Sequence, residues 1–207
     1  MAVEDWISLL TSCLRISIPL AFAALGAIFS ERAGIVNIGL EGMMLVGAFA
    51  GVWGSYLTGS PYAGLLLAMI GGGLFGLLHA VLTVRFKTDH IISGLGINLL
   101  ASGVTLVLLM AVWGNRGKSD NVEGLGNWHI PLLEDIPFVG DILGHLSPLF
   151  YLLVVLIVVA WFVLYKTVFG LRVRVIGENP QVADTLGVNV YRLQYGGVML
   201  CGVLAGA

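Results

Sequence analysis

Residues 91–113 read IISGLGINLLASGVTLVLLMAVW, from Ile91 to Trp113, without an Asp, Glu, Lys or Arg. A helix needs about 20 apolar residues to cross the hydrocarbon core of a bilayer. The stretch meets that length, so its solvent is lipid. Reading outward in windows of the same size gives five more candidates. Roughly 61–84 is also uncharged, roughly 35–57 carries one charge at Glu41, and roughly 7–29 is interrupted only by Arg15 and contains Pro19. Downstream, 148–165 runs uncharged from Pro148 to Tyr165, and a last apolar run starts near Leu193 and continues to Ala207. That last run is too short to span. The expected fold is therefore all-α, a polytopic transmembrane helical bundle, C-terminally truncated, with 1–207 forming a single partial membrane domain.

Composition agrees. The chain is 58% hydrophobic and 11% charged, where a soluble domain carries about 25% charged residues. Net charge is −2, which gives no footprint for nucleic acid. Cys13 and Cys201 sit inside apolar runs and form no metal or redox motif; both read as small hydrophobes. The acidic flank Glu4-Asp5 argues against a secretory signal.

Charge placement sets the expected orientation. Loop 85–90 carries Arg85 and Lys87, and segment 166–192 carries Lys166, Arg172, Arg174 and Arg192. The polar stretch 114–147 sets Arg116 and Lys118 against Asp120, Glu123, Glu134, Asp135 and Asp141. The first two are expected in the cytoplasm and 114–147 outside, which puts Glu31-Arg32 inside and the N-terminus outside. Glycine, 29 residues, recurs inside the apolar windows as Gly47-x-x-x-Gly51 and Gly72-x-x-x-Gly76, a spacing that lets helix backbones approach closely in lipid.

Two segments carry polar groups that ask for a role. In 31–44, Asn37 and Glu41 lie four apart, on one face if the segment is helical, among Gly34, Gly39 and Gly42. An ionisable residue at membrane depth faces a bundle interior or a water-filled cavity, and the glycines permit a broken helix beside a substrate path. The alternative is that Glu41 caps a helix or pairs with Arg32. Asn98, one turn beyond Gly94, either lines a path or bonds a neighbouring helix; the second is favoured. In 167–190, Gly177-Glu178-Asn179-Pro180 breaks the preceding structure. Asn179 suits an N-cap and Pro180 the first helical position. Ala183 and Leu186 are expected on one face, and Gly187 ends a short helix.

No catalytic, metal or cofactor constellation emerges. His79, His90, His129 and His145 are scattered, His79 reading as packed in an apolar helix, and there is no phosphate-binding loop, G-x-S-x-G or paired acid. ATP, if it drives this protein, binds to another chain. An intramembrane enzyme lacks paired polar groups in the uncharged spans, and a passive channel has no need of a helix that docks a partner.

Ser30-Glu31-Arg32-Ala33-Gly34-Ile35-Val36-Asn37-Ile38-Gly39-Leu40-Glu41-Gly42-Met43-Met44 closely resembles the N-terminal signature of permeases of branched-chain amino acid, simple sugar and nucleoside importers. Gly170-Leu-Arg-Val-Arg174 followed by Gly177-Glu178-Asn179-Pro180, Ala183 and Leu186-Gly187-Val188 resembles that family's cytoplasmic coupling segment. Asp184-Thr185 departs from the small or basic residues expected there. The resemblance runs from about residue 15 to the end, and its first motif is most similar to nucleoside permeases. It implies a type II ABC importer-like permease in a prokaryotic inner membrane. The implied partners are a cytoplasmic ABC ATPase that holds ATP and Mg, a second permease, an extracellular substrate-binding lipoprotein and membrane lipid. The implied cargo is a nucleoside, with a simple sugar or a branched-chain amino acid as alternatives. Gly177, Glu178, Asn179, Pro180, Ala183, Leu186 and Gly187 would couple to the ATPase.

Overall fold

The computed structural model describes residues 3–115, 117–126 and 146–207. Its elements are helices in the order α1 Val3–Arg32, α2 Leu40–Thr58, α3 Pro61–Ala80, α4 His90–Trp113, α5 Pro148–Lys166, α6 Val168–Glu178, α7 Pro180–Thr185 and α8 Val190–Gly206. Among the described residues, five helices are long and apolar enough to cross a membrane: Trp6–Arg32, Leu40–Thr58, Pro61–Arg85, His90–Trp113 and Pro148–Lys166. The chain is a polytopic helical membrane protein. The sixth expected run forms α8, 17 residues long.

Local chemistry sets the helix ends. Asp89 accepts from the N–H groups of Ile91 and Ile92 to open α4. Ser147 accepts from Leu149 N–H and is followed by Pro148 at the start of α5, and Asn189 accepts from Arg192 N–H to open α8. These are N-cap bonds that satisfy otherwise orphaned donors. Gly59 and Gly114 close α2 and α4 in the left-handed conformation. Two spans depart from expectation. Residues 35–39 are not helical, so α2 starts five residues later than the hydrophobic window. The helix expected over 61–84 changes at Val81–Arg85 to one π-type turn, closed by Phe86 N–H on Val81 O; Thr83 bonds the carbonyl of His79 within it.

The core has α8 at its centre, against α1, α2 and α3. Phe22, Leu25 and Phe29 of α1 pack on Leu153, Ala160 and Leu164 of α5 and on Leu204 of α8. Ile35 packs with Ala80, Val84 and Val198. Where α3 and α8 cross, no side chain fits between them: a Cβ on Gly76 would lie 3.0 Å from both Gly202 Cα and Val198 O, and a Cβ on Gly72 would overlap the Gly202 carbonyl. Gly72-x-x-x-Gly76 thus meets Gly202-x-x-x-Gly206, the small-residue contact that replaces hydrophobic drive in lipid. The chain turns at two ends. Gly34, Thr83, Lys87, His90, Pro180 and Gln194 are among the residues that line one crevice, and Ser55, Pro61, Gly64, Glu123 and Leu149 are among those that line another at the opposite end. The first contains Lys87 and lies at the end where the turn carrying Arg85 and the segment carrying Arg172, Arg174 and Arg192 also lie; it is the basic end. Arg116, Glu134, Asp135, Asp141, His129 and His145 lie outside the described residues.

Candidate functional site: a broken membrane segment and a capped helix beside it

Residues 33–39 join α1 to α2 without helical structure; only Ala33 N–H and Gly39 C=O keep i→i−4 bonds, to Phe29 O and from Met43 N–H, and the groups between need other partners. In a membrane each must be satisfied within the protein. Ser30 and Ile35 exchange two bonds, Ile35 N–H on Ser30 O at 3.0 Å and Ser30 Oγ on Ile35 O at 2.7 Å. Val36 N–H donates to His90 Nδ1 at 3.4 Å. Gln194 of α8 donates to Ala33 O at 3.3 Å. Asn37 Oδ1 accepts from Gly39 N–H at 3.0 Å. Asn98 of α4 bridges the break: its Oδ1 accepts from Gly42 N–H at 2.8 Å, and its Nδ2 donates to Ile38 O at 3.2 Å. α2 has no side-chain cap of its own at Gly39, so Asn98 supplies one from another helix.

The three polar residues take different positions. Asn37 and Glu41 do not share a helical face, because Asn37 lies in the non-helical segment. Asn37 is 5% exposed, and its Nδ2 lies 3.4 Å from Met43 Sδ and 3.2 Å from Cys201 Sγ, tying the break to α8. Asn98 bonds a neighbouring segment, as favoured. Glu41 stands exposed in the first turn of α2; Arg32 turns instead to Tyr165 Oη, 3.1 Å away. Asn98 lies eight residues into α4, about 12 Å from its start at the helical rise, so α2 begins inside the depth of the spans. His79 is fully buried, with Nδ1 2.9 Å from Ser93 Oγ.

Asn98→Ala removes one acceptor and one donor and leaves Gly42 N–H and Ile38 O unpaired. The expected cost is about 1–3 kcal/mol, read as a lowered thermal midpoint of the purified protein, and Asn98→Asp restores only the acceptor half.

The second part is α6–α7. Asn179 Oδ1 accepts from Gln181 and Val182 N–H at 3.1 and 3.2 Å, and Pro180 takes the first helical position. α7 ends in a Schellman motif: Val188 N–H bonds Ala183 O at 3.1 Å and Gly187 N–H bonds Asp184 O at 2.9 Å, with Gly187 at φ +76°. Such a closure favours glycine at that position. The expected apolar face needs correction. Ala183 is 0% exposed and faces the protein, whereas Leu186, beyond the last helical residue, is 70% exposed. The outward apolar pair is Val182, 48% exposed, and Leu186.

The two parts touch. A Cβ on Gly34 (φ +84°) would lie 3.2 Å from Gly177 Cα, and one on Gly177 would overlap the carbonyl of Arg32. Gly177 is thus where the end of α6 meets the break, backbone to backbone. A crevice of about 460 Å³ opens beside this junction, lined by Gly34, Thr83, Lys87, His90, Asp184 and Gln194 among others. Among the described residues no group of three His, Cys, Asp or Glu could hold a metal. Glu178 is exposed at the end of α6. Sequence reasoning did not single out Ser30, His90 or Gln194 as partners of the break. The only local signal was the break itself, whose backbone must find partners somewhere.

Residues 9–207 match a protein family described as "Branched-chain amino acid transport system / permease component". The chain is 45% identical over 208 residues to the nucleoside ABC transporter permease protein NupC of Lactococcus lactis, covering 96% of this chain and 64% of that protein. It is 43% identical over 197 residues to the guanosine ABC transporter permease protein NupQ of Bacillus subtilis, covering 91% and 61%. It is 27% identical over 210 residues to the glucose ABC transporter permease protein TsgB13 of Haloferax volcanii, covering 95% and 54%. The chain thus spans less than two thirds of the length of these curated relatives. No solved structure matches it.

Proposed function

We propose, since this chain belongs to the family of permease components of branched-chain amino acid transport systems, that it forms part of the membrane wall of an ATP-driven importer of nucleosides. The observation that carries the mechanism is the backbone contact between Gly177 and Gly34. A short, doubly capped helix with an outward apolar pair sits on the same rigid junction as the unwound membrane segment. The basic end, with its cluster of Lys and Arg, is the cytoplasmic end by the positive-inside rule, and 114–126 belongs to the outer side of a prokaryotic inner membrane.

An ATPase subunit that grips Val182 and Leu186 differently in its ATP-bound and ATP-free states would shift α7, and with it α6 and the break. Coupling requires such differential contacts. Transport then proceeds by alternating access, with a second permease completing the path and an extracellular receptor delivering cargo. ATP and Mg belong to the ATPase. A nucleoside is favoured over a sugar because the relatives named for nucleoside and guanosine transport stand at 45% and 43% identity, whereas a putative glucose permease of Haloferax volcanii stands at 34% and a second at 27%.

Glu41, exposed at the mouth of the break, is proposed to line the path with the help of the α2 N-terminus, which favours a carboxylate there. Uptake of labelled guanosine by cells with and without the intact transporter tests the reading. Uptake should depend on the gene and be competed by other nucleosides but not by ribose or leucine. Glu41→Gln is expected to lower uptake several-fold at an unchanged level of protein in the membrane. Equal uptake by the variant would remove Glu41 from the path, and gene-dependent uptake of ribose or leucine alone would replace the cargo.

A further inference from the structure

We infer that the crevice between α1 and α5 at the basic end binds an anionic phospholipid. It encloses about 290 Å³ and grades along its length: Leu25, Ile28 and Ile157 line the end away from the helix termini, while Glu31, Arg32 and Tyr165 stand at the rim. From Ile157 to Tyr165 is eight residues of α5, about 12 Å of depth at the helical rise, hydrocarbon-lined until the last turn.

Arg32 lines the rim, and two further cations stand over its aromatic rings. Arg32 Nη2 donates to Tyr165 Oη at 3.1 Å, with its guanidinium carbon 5.9 Å from that ring's centroid. The Arg174 guanidinium carbon stands 5.2 Å from the same centroid. Lys166 Nζ lies 5.5 Å from the centroid of Trp161, which is 53% exposed. Glu31 shares the rim, yet no carboxylate among the described residues forms an ion pair with these three cations. Arg174 Nε is buried without a hydrogen-bond acceptor, which costs free energy.

Two guanidiniums on one ring repel each other, and an anion between or beside them relieves that repulsion. A phosphodiester fits: it carries one charge and several acceptor oxygens, and guanidinium groups match phosphate geometry. Basic pockets between spans on the cytoplasmic side are where acidic lipid head groups bind, and Trp161 and Tyr165 occupy the interfacial level that aromatic residues favour. An acidic protein partner would satisfy the cations but leave the deep groove unfilled, whereas an acyl chain fills it. The inference does not depend on which solute is transported.

The test uses the full-length protein with its partners in lipid nanodiscs. Phosphatidylglycerol and phosphatidylcholine carrying a photoreactive acyl chain are supplied in turn, and cross-links are mapped by mass spectrometry. The phosphatidylglycerol probe is expected to label Ile28, Ile157 and Trp161 preferentially. Arg32→Gln and Lys166→Gln should each reduce that preference about fivefold, the effect of one cation near an anionic surface. Ile157→Trp, which fills the groove and keeps the cations, should abolish labelling there. Equal labelling by the two lipids would overturn the proposal. So would an unlabelled groove, whose cross-links then run to protein.

Discussion

Val182→Glu combined with Leu186→Glu is expected to strip the ATPase from the purified complex and to abolish uptake, while the permease still reaches the membrane in normal amounts. Both side chains are exposed, so their replacement costs the fold within about 0.5 kcal/mol. In an interface they would be the apolar anchors of α7, and losing such anchors costs about 2 kcal/mol or more. Placing two carboxylates where apolar contact is required adds desolvation. The affinity loss should therefore be at least about thirtyfold. Ala183→Glu is the informative contrast. Ala183 is fully buried against the protein, so that change is expected to lose the protein itself. An ATPase that stays bound to the double variant, with uptake intact, would show that α7 is not the contact.

Gly202→Leu is expected to remove nearly all folded protein. The α3–α8 crossing places Gly202 against Gly72 and Gly76 backbone, with Gly76 Cα only 2.8 Å from a Cβ at position 202. The neighbouring atoms are main chain and cannot swing aside, so the two helices must separate along their whole contact. Overpacking costs about 1–3 kcal/mol where side chains can yield; here the lower bound is the top of that range. More than a tenfold fall in monodisperse protein recovered from membranes is expected, about 1.4 kcal/mol being tenfold. Gly196→Leu on the same helix meets no atom within 4 Å and should fold normally. If both variants are recovered equally, the glycine crossing does not hold the bundle.

The architecture was largely legible in the sequence, for a physical reason. Lipid demands length and uniform apolarity, and both can be read from a single stretch such as 148–165. The cap at Asn179, the proline at 180 and the closure at Gly187 were equally legible, because each rests on chemistry within a few residues. What could not be read is what distant residues supply. The start of α2 is set by Asn98, fifty-six positions away, and the close of the break on α8 by Gln194 and Cys201. A hydrophobic window cannot tell that residues 35–39 are not helical, since they are as apolar as the helix that follows. The face of α7 was misassigned because Leu186 closes the helix instead of continuing it, so helical spacing from Ala183 no longer predicts its direction. The pairing of Gly202 and Gly206 with Gly72 and Gly76 was half visible: the spacing on α3 stood out, while its partner on α8 gains meaning only from the crossing.

In the proposed permease the unwound segment is driven through α6 and α7 by an ATPase. The most direct measurement takes the full-length protein purified with its partners from its own membrane, and records ATP hydrolysis as receptor loaded with guanosine, ribose or leucine is added. An ATPase should co-purify, and only the guanosine-loaded receptor should stimulate it, with stimulation lost in the Val182→Glu, Leu186→Glu variant. Absence of a co-purifying ATPase, or hydrolysis indifferent to every loaded receptor, would contradict that coupling.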